Sequence, residues 1–318
     1  MARAALLTLA VAYGLSAAAA TDEARPFAKS TYTYKIVDGT SIKVDVYRPP
    51  DDHVRPVILW VHGGALIFGD RTKIHNAQLA RYLQEGFVVA SIDYRLAPET
   101  KLPGIIEDLQ DAYRWLRTQG RLLFRGDPTR IAVVGHSAGG YLTLAAGYLC
   151  SPPPRALVSF YGYGDITGAW YSRPDPFYSI EPLVTREQAR EAVGNTTITE
   201  GDEERRWPFY LFCRQRGLWP KEVGGWDPAT EPRRFDPYCP ARNVTTSYPP
   251  TLLLHGDRDT DVPFEQSELM AHGLEKHRVK HRLIRIRGGE HGFDANLQDP
   301  QTAKAFEDVL AFLSKHLR

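Results

Sequence analysis

One short stretch has the residue types and the order for nucleophilic chemistry, Gly135-His136-Ser137-Ala138-Gly139. It follows a β-branched run at 130–134 that reads as a buried strand and precedes an apolar stretch at 141–146 that reads as a helix. A serine at the apex of a strand–turn–helix elbow exposes its hydroxyl. The flanking glycines keep the turn free of side-chain clashes. The helix that follows directs its positive end at the place where negative charge would develop. A serine hydroxyl is a weak nucleophile at neutral pH, so it needs a base, and the base needs an orienting carboxylate.

Both partners occur later in the chain, in the order serine, acid, histidine. Of the ten histidines, His291 alone combines that order with a post-strand position and glycine flanks, in Gly288-Gly289-Glu290-His291-Gly292-Phe293. The acid lies in Leu254-His255-Gly256-Asp257-Arg258-Asp259-Thr260-Asp261-Val262-Pro263. Asp259, a few residues past the strand end, is placed to reach a neighbouring loop. Three other carboxylates compete with it. Asp257 is expected to bond local backbone amides, Asp261 to cap the next helix, and Asp165 follows the preceding strand. Acyl transfer also builds charge on a carbonyl oxygen, which fixed amides stabilise. The expected donors are Gly63 and Gly64, in His62-Gly63-Gly64-Ala65 after a buried strand, and Ala138 beside the serine. His62 is expected to hold that loop rather than transfer protons. No cofactor or metal is expected.

The rest of the chain supplies elements to bring these residues together. Thr31 to Val37 and Ser41 to Tyr47 alternate around Asp38-Gly39 and predict a hairpin. Continuous apolar runs at 56–61, 87–92, 156–161 and 251–254 predict strands buried on both faces. Helical spacing at Ile105, Leu109, Ala112, Tyr113 and Leu116, and again at Ala305, Phe306, Val309, Leu310 and Leu313, predicts amphipathic helices. Strands alternating with helices imply an α/β fold with a mostly parallel central sheet flanked by helices. In such sheets ligands sit at the carboxyl ends of the strands, where every motif above falls. The rhythm breaks at 162–250, rich in Pro, Trp, Tyr and Arg. This segment is expected to be a lid insertion, with short helices near Glu187 to Val193 and Trp207 to Arg216. Its aromatic residues Trp170, Tyr171, Phe177, Trp207 and Phe209 are candidates to shape a pocket, with plain packing within the lid as the alternative for each. The core is then 27–161 and 251–318.

Composition narrows the partners. Hydrophobic residues make up 43% of the 318 and charged residues 24%, as in a soluble globular protein. The formal net charge of +1 gives no ground for a nucleic-acid partner. Cys150, Cys213 and Cys239 are too few for a disulfide framework, and a Cys213–Cys239 bridge or free thiols are both open. Residues 1–20 have a charged start, an apolar run and small residues before Thr21, which reads as a signal peptide. The run is too short and Ala-rich for a stable membrane span. Secretion is therefore expected, with a cytoplasmic protein as the alternative. Asn195 and Asn243 begin glycosylation triplets.

Taken jointly, His62-Gly63-Gly64, Asp93-Tyr94-Arg95-Leu96-Ala97-Pro98-Glu99, Tyr113-Arg114-Trp115-Leu116, Gly135-His136-Ser137-Ala138-Gly139-Gly140 and His291-Gly292-Phe293 resemble the α/β-hydrolase superfamily. Within it they resemble the hormone-sensitive-lipase-like esterases. The acid segment instead resembles dienelactone-hydrolase-like and prolyl-oligopeptidase-like enzymes. Ala65 replaces the family's third glycine. The resemblance implies a serine esterase that acts on small-molecule esters through an acyl-enzyme. A lactonase, thioesterase or acyltransferase in small-molecule biosynthesis, a serine peptidase, and a non-catalytic binding module are the alternatives. Oligomeric state is left open.

Overall fold

A computed structural model describes residues 27–318. The expected signal peptide at 1–20 lies outside the described residues. Eight strands form one sheet: β1 (Ala28–Val37), β2 (Thr40–Arg48), β3 (Arg55–Val61), β4 (Val88–Ile92), β5 (Gly126–His136), β6 (Ala156–Phe160), β7 (Thr251–Gly256) and β8 (His281–Ile286). Their spatial order is β1-β2-β4-β3-β5-β6-β7-β8. The β1–β2 hairpin joins β4 antiparallel, and from β4 to β8 every pairing is parallel. The sheet is thus mostly parallel, as the alternation of strands and helices implies.

The two-residue period of a strand explains the layers. Val57, Leu59 and Val61 of β3 enter one core, while Ile58 and Trp60 enter the other. The first core is closed by α2 (Leu102–Phe124) and α3 (Ala138–Leu149), the second by α1 (Asn76–Gln84) and α8 (Pro300–Leu317). On α2 the expected stripe of Ile105, Leu109, Ala112, Tyr113 and Leu116 is buried. On α8 Ala305, Phe306, Val309, Leu310 and Leu313 are buried. Each buried Leu, Ile, Val or Phe among them stabilises the fold by about 1.5–3 kcal/mol.

Strand register fixes where the loops emerge. Val61 lies opposite Gly135, His136 opposite Phe160, and Gly256 opposite Ile286. The carboxyl ends of five neighbouring strands therefore finish level. The loops that leave them carry Gly63, Ser137, Tyr161, Asp259 and His291.

Between β6 and β7 the chain adds no strand to the sheet. It forms α4 (Ala169–Ser172), α5 (Arg186–Glu191) and α6 (Glu203–Arg216), joined by irregular stretches, one of which carries a 3-10 turn at Tyr178–Ile180. Helix α6 starts before the expected Trp207 because Asp202 caps it, its side chain accepting from Arg205 N, and it stops at Gly217 in the left-handed region. α7 (Glu265–Lys276) follows β7. No helix among the described residues is long and apolar enough to cross a membrane. The three cysteines are buried and free, so Cys213 and Cys239 are not bridged.

Candidate active site

The elbow forms because backbone meets backbone there. A Cβ on Gly135 would lie 2.2 Å from Gly139 O, and one on Gly139 would lie 2.1 Å from Val61 O. Ser137 is held at φ 54°, ψ −118°, a conformation rare outside glycine. Its N–H donates to Phe160 O at 2.9 Å, which fastens the turn to the next strand.

Three distant side chains meet at this turn. His291 Nε2 is 3.0 Å from Ser137 Oγ, and His291 Nδ1 is 2.8 Å from Asp259 Oδ2. The other oxygen of Asp259 accepts from the N–H groups of Asp261 and Val262. His255, fully buried, adds a contact at 3.2 Å to the same Oδ2 that faces His291. Burial works to raise the Asp259 carboxyl, but hydrogen bonds from His255 and His291 outweigh it and hold the group well below the usual carboxylate range. Burial likewise pulls His291 down, while Asp261, then Asp259 and Asp294, carry it above its ordinary value. An ionised Asp259 at Nδ1 keeps the proton there and leaves the Nε2 lone pair facing the serine.

Asp257 and Asp165 are occupied elsewhere, whereas Asp261 stays beside His291 with a different set of partners. Asp257 Oδ1 accepts from Gly288 N at 2.7 Å. It thus ties the β7 loop to the β8 loop rather than bonding local amides as expected. Asp165 is taken by Thr167 and Arg242. Asp261 does not cap the next helix, since α7 has no side-chain cap. It accepts instead from Tyr178, Tyr210 and Arg214.

Gly63 and Gly64 lie beside the serine. A Cβ on Gly63 would approach Ser137 Cβ to 3.3 Å. Their carbonyls are engaged away from it. Gly63 O sits 2.7 Å from His62 Nδ1 and accepts from Tyr94 OH, while Gly64 O accepts from Ile67 N and Phe68 N. Ala138 is the first residue of α3, so its N–H has no partner within the helix. Gly64, Ala65 and Leu66 all have positive φ, at 98°, 55° and 62°. Ala65 therefore adopts a glycine-like conformation without being glycine. His62 stacks on Tyr94 at 4.2 Å. Burial, only partly opposed by the Gly63 carbonyl, pushes its imidazole down to about 4, so it stays neutral in the working range.

The motif Asp93 to Glu99 braces this loop. Asp93 pairs with Arg71, Arg95 grips Asp108 through Nε and Nη2, and Glu99 takes both nitrogens of Arg206 from α6. Arg206 also donates to Ile67 O and Ala97 O, and Trp219 Nε1 to Ala65 O.

A cavity of about 470 Å³ opens over the serine, with Gly63, Gly64, Ser137 and His291 at its base and Phe68, Tyr178, Trp207 and Tyr210 in its walls. Of the aromatic candidates in the insertion, Trp207 lines the cavity. Trp170 and Tyr171 stack on each other at 3.6 Å, and Tyr171 on Trp219 at 4.2 Å, so they form internal packing. Phe177 is exposed, and Phe209 is buried away from the cavity. Tyr178 and Tyr210 carry no sequence signal that separates them from packing residues.

His75, His136 and Asp294 bring potential ligand atoms within 4.8 Å of one another. The Asp294 carboxylate is already committed, accepting from Tyr161 OH at 2.5 Å and Gln78 Nε2 at 2.6 Å and facing His136 Nδ1 at 3.1 Å. Asp294 and His136 are thus held by the protein itself, and His75 and His136 reach the cavity wall.

The sequence profile of the family described as alpha/beta hydrolase fold matches residues 58–295. The chain is 28% identical over 305 residues to the non-reducing polyketide synthase atr1 of Stereocaulon alpinum, covering 84% of this chain and 12% of the synthase. It thus spans a small part of the synthases it matches. It is 29% identical over 288 residues to esterase LipC of Mycobacterium tuberculosis, covering 86% of this chain and 62% of that one. Among solved structures, carboxyl esterase 2 of the fungus Tuber melanosporum superposes with a TM-score of 0.68 at 22% identity, over 95% of this chain and 90% of that one. A Staphylococcus aureus protein of unknown function superposes with a TM-score of 0.74 at 22% identity, over 91% and 100% of the two chains.

Proposed function

This chain belongs to the alpha/beta hydrolase fold family, and from that premise we propose that it is a serine carboxylic-ester hydrolase acting on small-molecule esters. The observation that carries the reading is the unbroken sequence of contacts Asp259–His291–Ser137, at 2.8 and 3.0 Å, at the floor of a partly apolar cavity. Ser137 Oγ attacks the ester carbonyl as His291 Nε2 takes the hydroxyl proton. The carbonyl oxygen becomes an oxyanion, received by the amides of Gly63, Gly64 and Ala138. The C–O bond to the alcohol breaks, and the alcohol leaves with the proton from Nε2. Water then attacks the acyl-serine, gives one proton to Nε2, and releases the acid and a free Ser137 hydroxyl as that proton returns. Asp259 stays ionised throughout and orients the imidazole.

The test is a panel of p-nitrophenyl esters with the purified protein. Hydrolysis of short acyl esters, stoichiometric labelling of Ser137 by an organophosphate, and loss of both in Ser137→Ala are expected. Absence of labelling would favour a binding module, and faster cleavage of peptide amides than of esters would favour a peptidase.

A second reading rests on the polyketide synthase relatives: the same serine takes an acyl group from a thioester and passes it to water or an alcohol. Comparing matched oxygen esters and thioesters, with and without an added alcohol, separates the two.

The insertion 162–250 serves as the lid of this site, with Trp207, Tyr178 and Tyr210 shaping the substrate pocket. Residues 1–20 direct the protein to secretion. Asn195 is exposed and is the glycosylation candidate, whereas the Asn243 amide already donates to Asp236 O and Cys239 O. Mass spectrometry of the protein from its culture medium, showing a Thr21 start, checks both points.

A further inference from the structure

We propose that Asp261 and Arg214 form a positioning pair through which the insertion sets how firmly His291 holds its proton. The inference rests on the reading of His291 as the base. Asp261 Oδ1 is saturated, accepting from Tyr178 OH at 2.9 Å, Arg214 Nη1 at 2.5 Å and Tyr210 OH. Its other oxygen, Oδ2, lies 3.4 Å from His291 Nε2, the nitrogen that faces the serine. Two carboxylates thus address one imidazole, Asp259 at Nδ1 and Asp261 at Nε2. Before the reaction Nε2 carries a lone pair, and a nearby carboxylate oxygen gains nothing from it. Once Nε2 takes the serine proton, the same oxygen faces a cation. The interaction therefore strengthens as the reaction proceeds, which is the kind that lowers a barrier.

Arg214 moderates this field. It is buried on α6, bonds Asp175 Oδ2 at 2.5 Å and Asp261 O at 3.0 Å, and lies over the rings of Trp170, Tyr171, Tyr178 and Tyr210 at 4.6–5.7 Å. A guanidinium so enclosed stays charged and draws the Asp261 negative charge toward the insertion. The other groups around His291 are Asp259, the Tyr161 ring at 4.6 Å, Ser137, and the more remote His136 and Asp294. Asp294 is committed to Tyr161, Gln78 and His136, so Asp261 is the carboxylate whose charge the insertion controls.

The pair makes a prediction in which its two members act oppositely. In the Ser137→Ala protein, the His291 imidazole is titrated by NMR, alone and combined with Asp261→Asn or Arg214→Gln. Asp261→Asn should lower the midpoint by about one pH unit, and Arg214→Gln should raise it by a smaller amount. In proteins with Ser137 intact, the acid limb of kcat/KM should move in the same two directions. The position of that limb does not depend on the folded fraction. Should Arg214→Gln fail to fold, Arg214→Lys, which keeps the charge but loses the fork, should still raise the limb slightly. Midpoints that stay put, or that move the same way in both variants, overturn the pair. Because the titration needs no turnover, it reads the pair even if Ser137→Ala leaves ester hydrolysis intact, a result that would instead defeat the proposed function.

Discussion

The cavity has two sides built by different means. On the sheet side, backbone geometry does the positioning. Gly135, Gly139 and Gly64 sit where a Cβ would strike main-chain atoms, and the proposed nucleophile and oxyanion donors follow from the path of the chain. On the insertion side, long side chains do it. Arg206 and Arg214 leave the same helix and reach Glu99 in one direction and Asp261 in another. On the sheet side Gly135 and Gly64 meet main chain about one turn further on, and Gly139 meets Val61 of the neighbouring strand β3. The insertion side depends on pairs 47 and 107 positions apart in the chain.

The contrast can be broken or sharpened by substitution. The largest effect is expected at Ser137→Ala, where kcat/KM for a p-nitrophenyl ester should fall by about 10⁴-fold or more while the fold persists by circular dichroism. Residual turnover above a hundredth of wild type would mean that another group attacks. Next comes Gly139→Ala, whose methyl would overlap Val61 O. It should cost more than about 3 kcal/mol in urea unfolding, and a stable variant would show that the elbow is not backbone-limited.

Acid should also loosen the sheet side. His62 is fully buried, and burial holds it down to about 4, whereas the unfolded chain takes the proton near the ordinary value. The unfolded state thus binds the extra proton first. Stability falls as pH drops below about 6.5 and levels off below about 4, a loss of about 3 kcal/mol from this residue. Unfolding curves across that range should flatten in His62→Gln; an unaltered slope would assign the loss to other groups.

On the insertion side, Trp207→Ala should alter the ratio of kcat/KM between long and short acyl esters by about tenfold. An unchanged profile would remove that wall from substrate selection. The smallest effect is at Ala65→Gly. Relief of the positive φ is opposed by the added freedom of glycine in the unfolded chain, so stability should shift by less than about 1 kcal/mol. A large change in either direction would mean that the Ala65 methyl has a packing role.

This division explains what could be read from the sequence. The alternation of apolar strands and amphipathic helices specifies the parallel sheet, because each element obeys its own period. Ser137, His291 and Asp259 can be picked out because chain order and post-strand position are local properties, and the structure brings the three together. Asp261 reads as a helix cap in the sequence and is not one, since its real partners, Tyr178, Tyr210 and Arg214, lie in a segment without periodicity. The same absence hides the difference between Trp207, which faces the cavity, and Trp170, which packs around Arg214. Asp93 to Glu99 stands out as a motif, but its task does not show in the residue types. That task is to brace the Gly63–Gly64 loop, with Tyr94 bonding the His62 carbonyl and Glu99 receiving Arg206.

Arg206 and Trp207 are chain neighbours on one helix, and successive helical residues point about 100° apart. The arginine anchors the insertion to Glu99 and two core carbonyls, while the tryptophan faces the cavity. Attachment and the proposed substrate wall thus rest on adjacent residues yet are physically separate. A change at position 207 can therefore reshape the cavity wall while the rivet at 206 still holds the helix to the core.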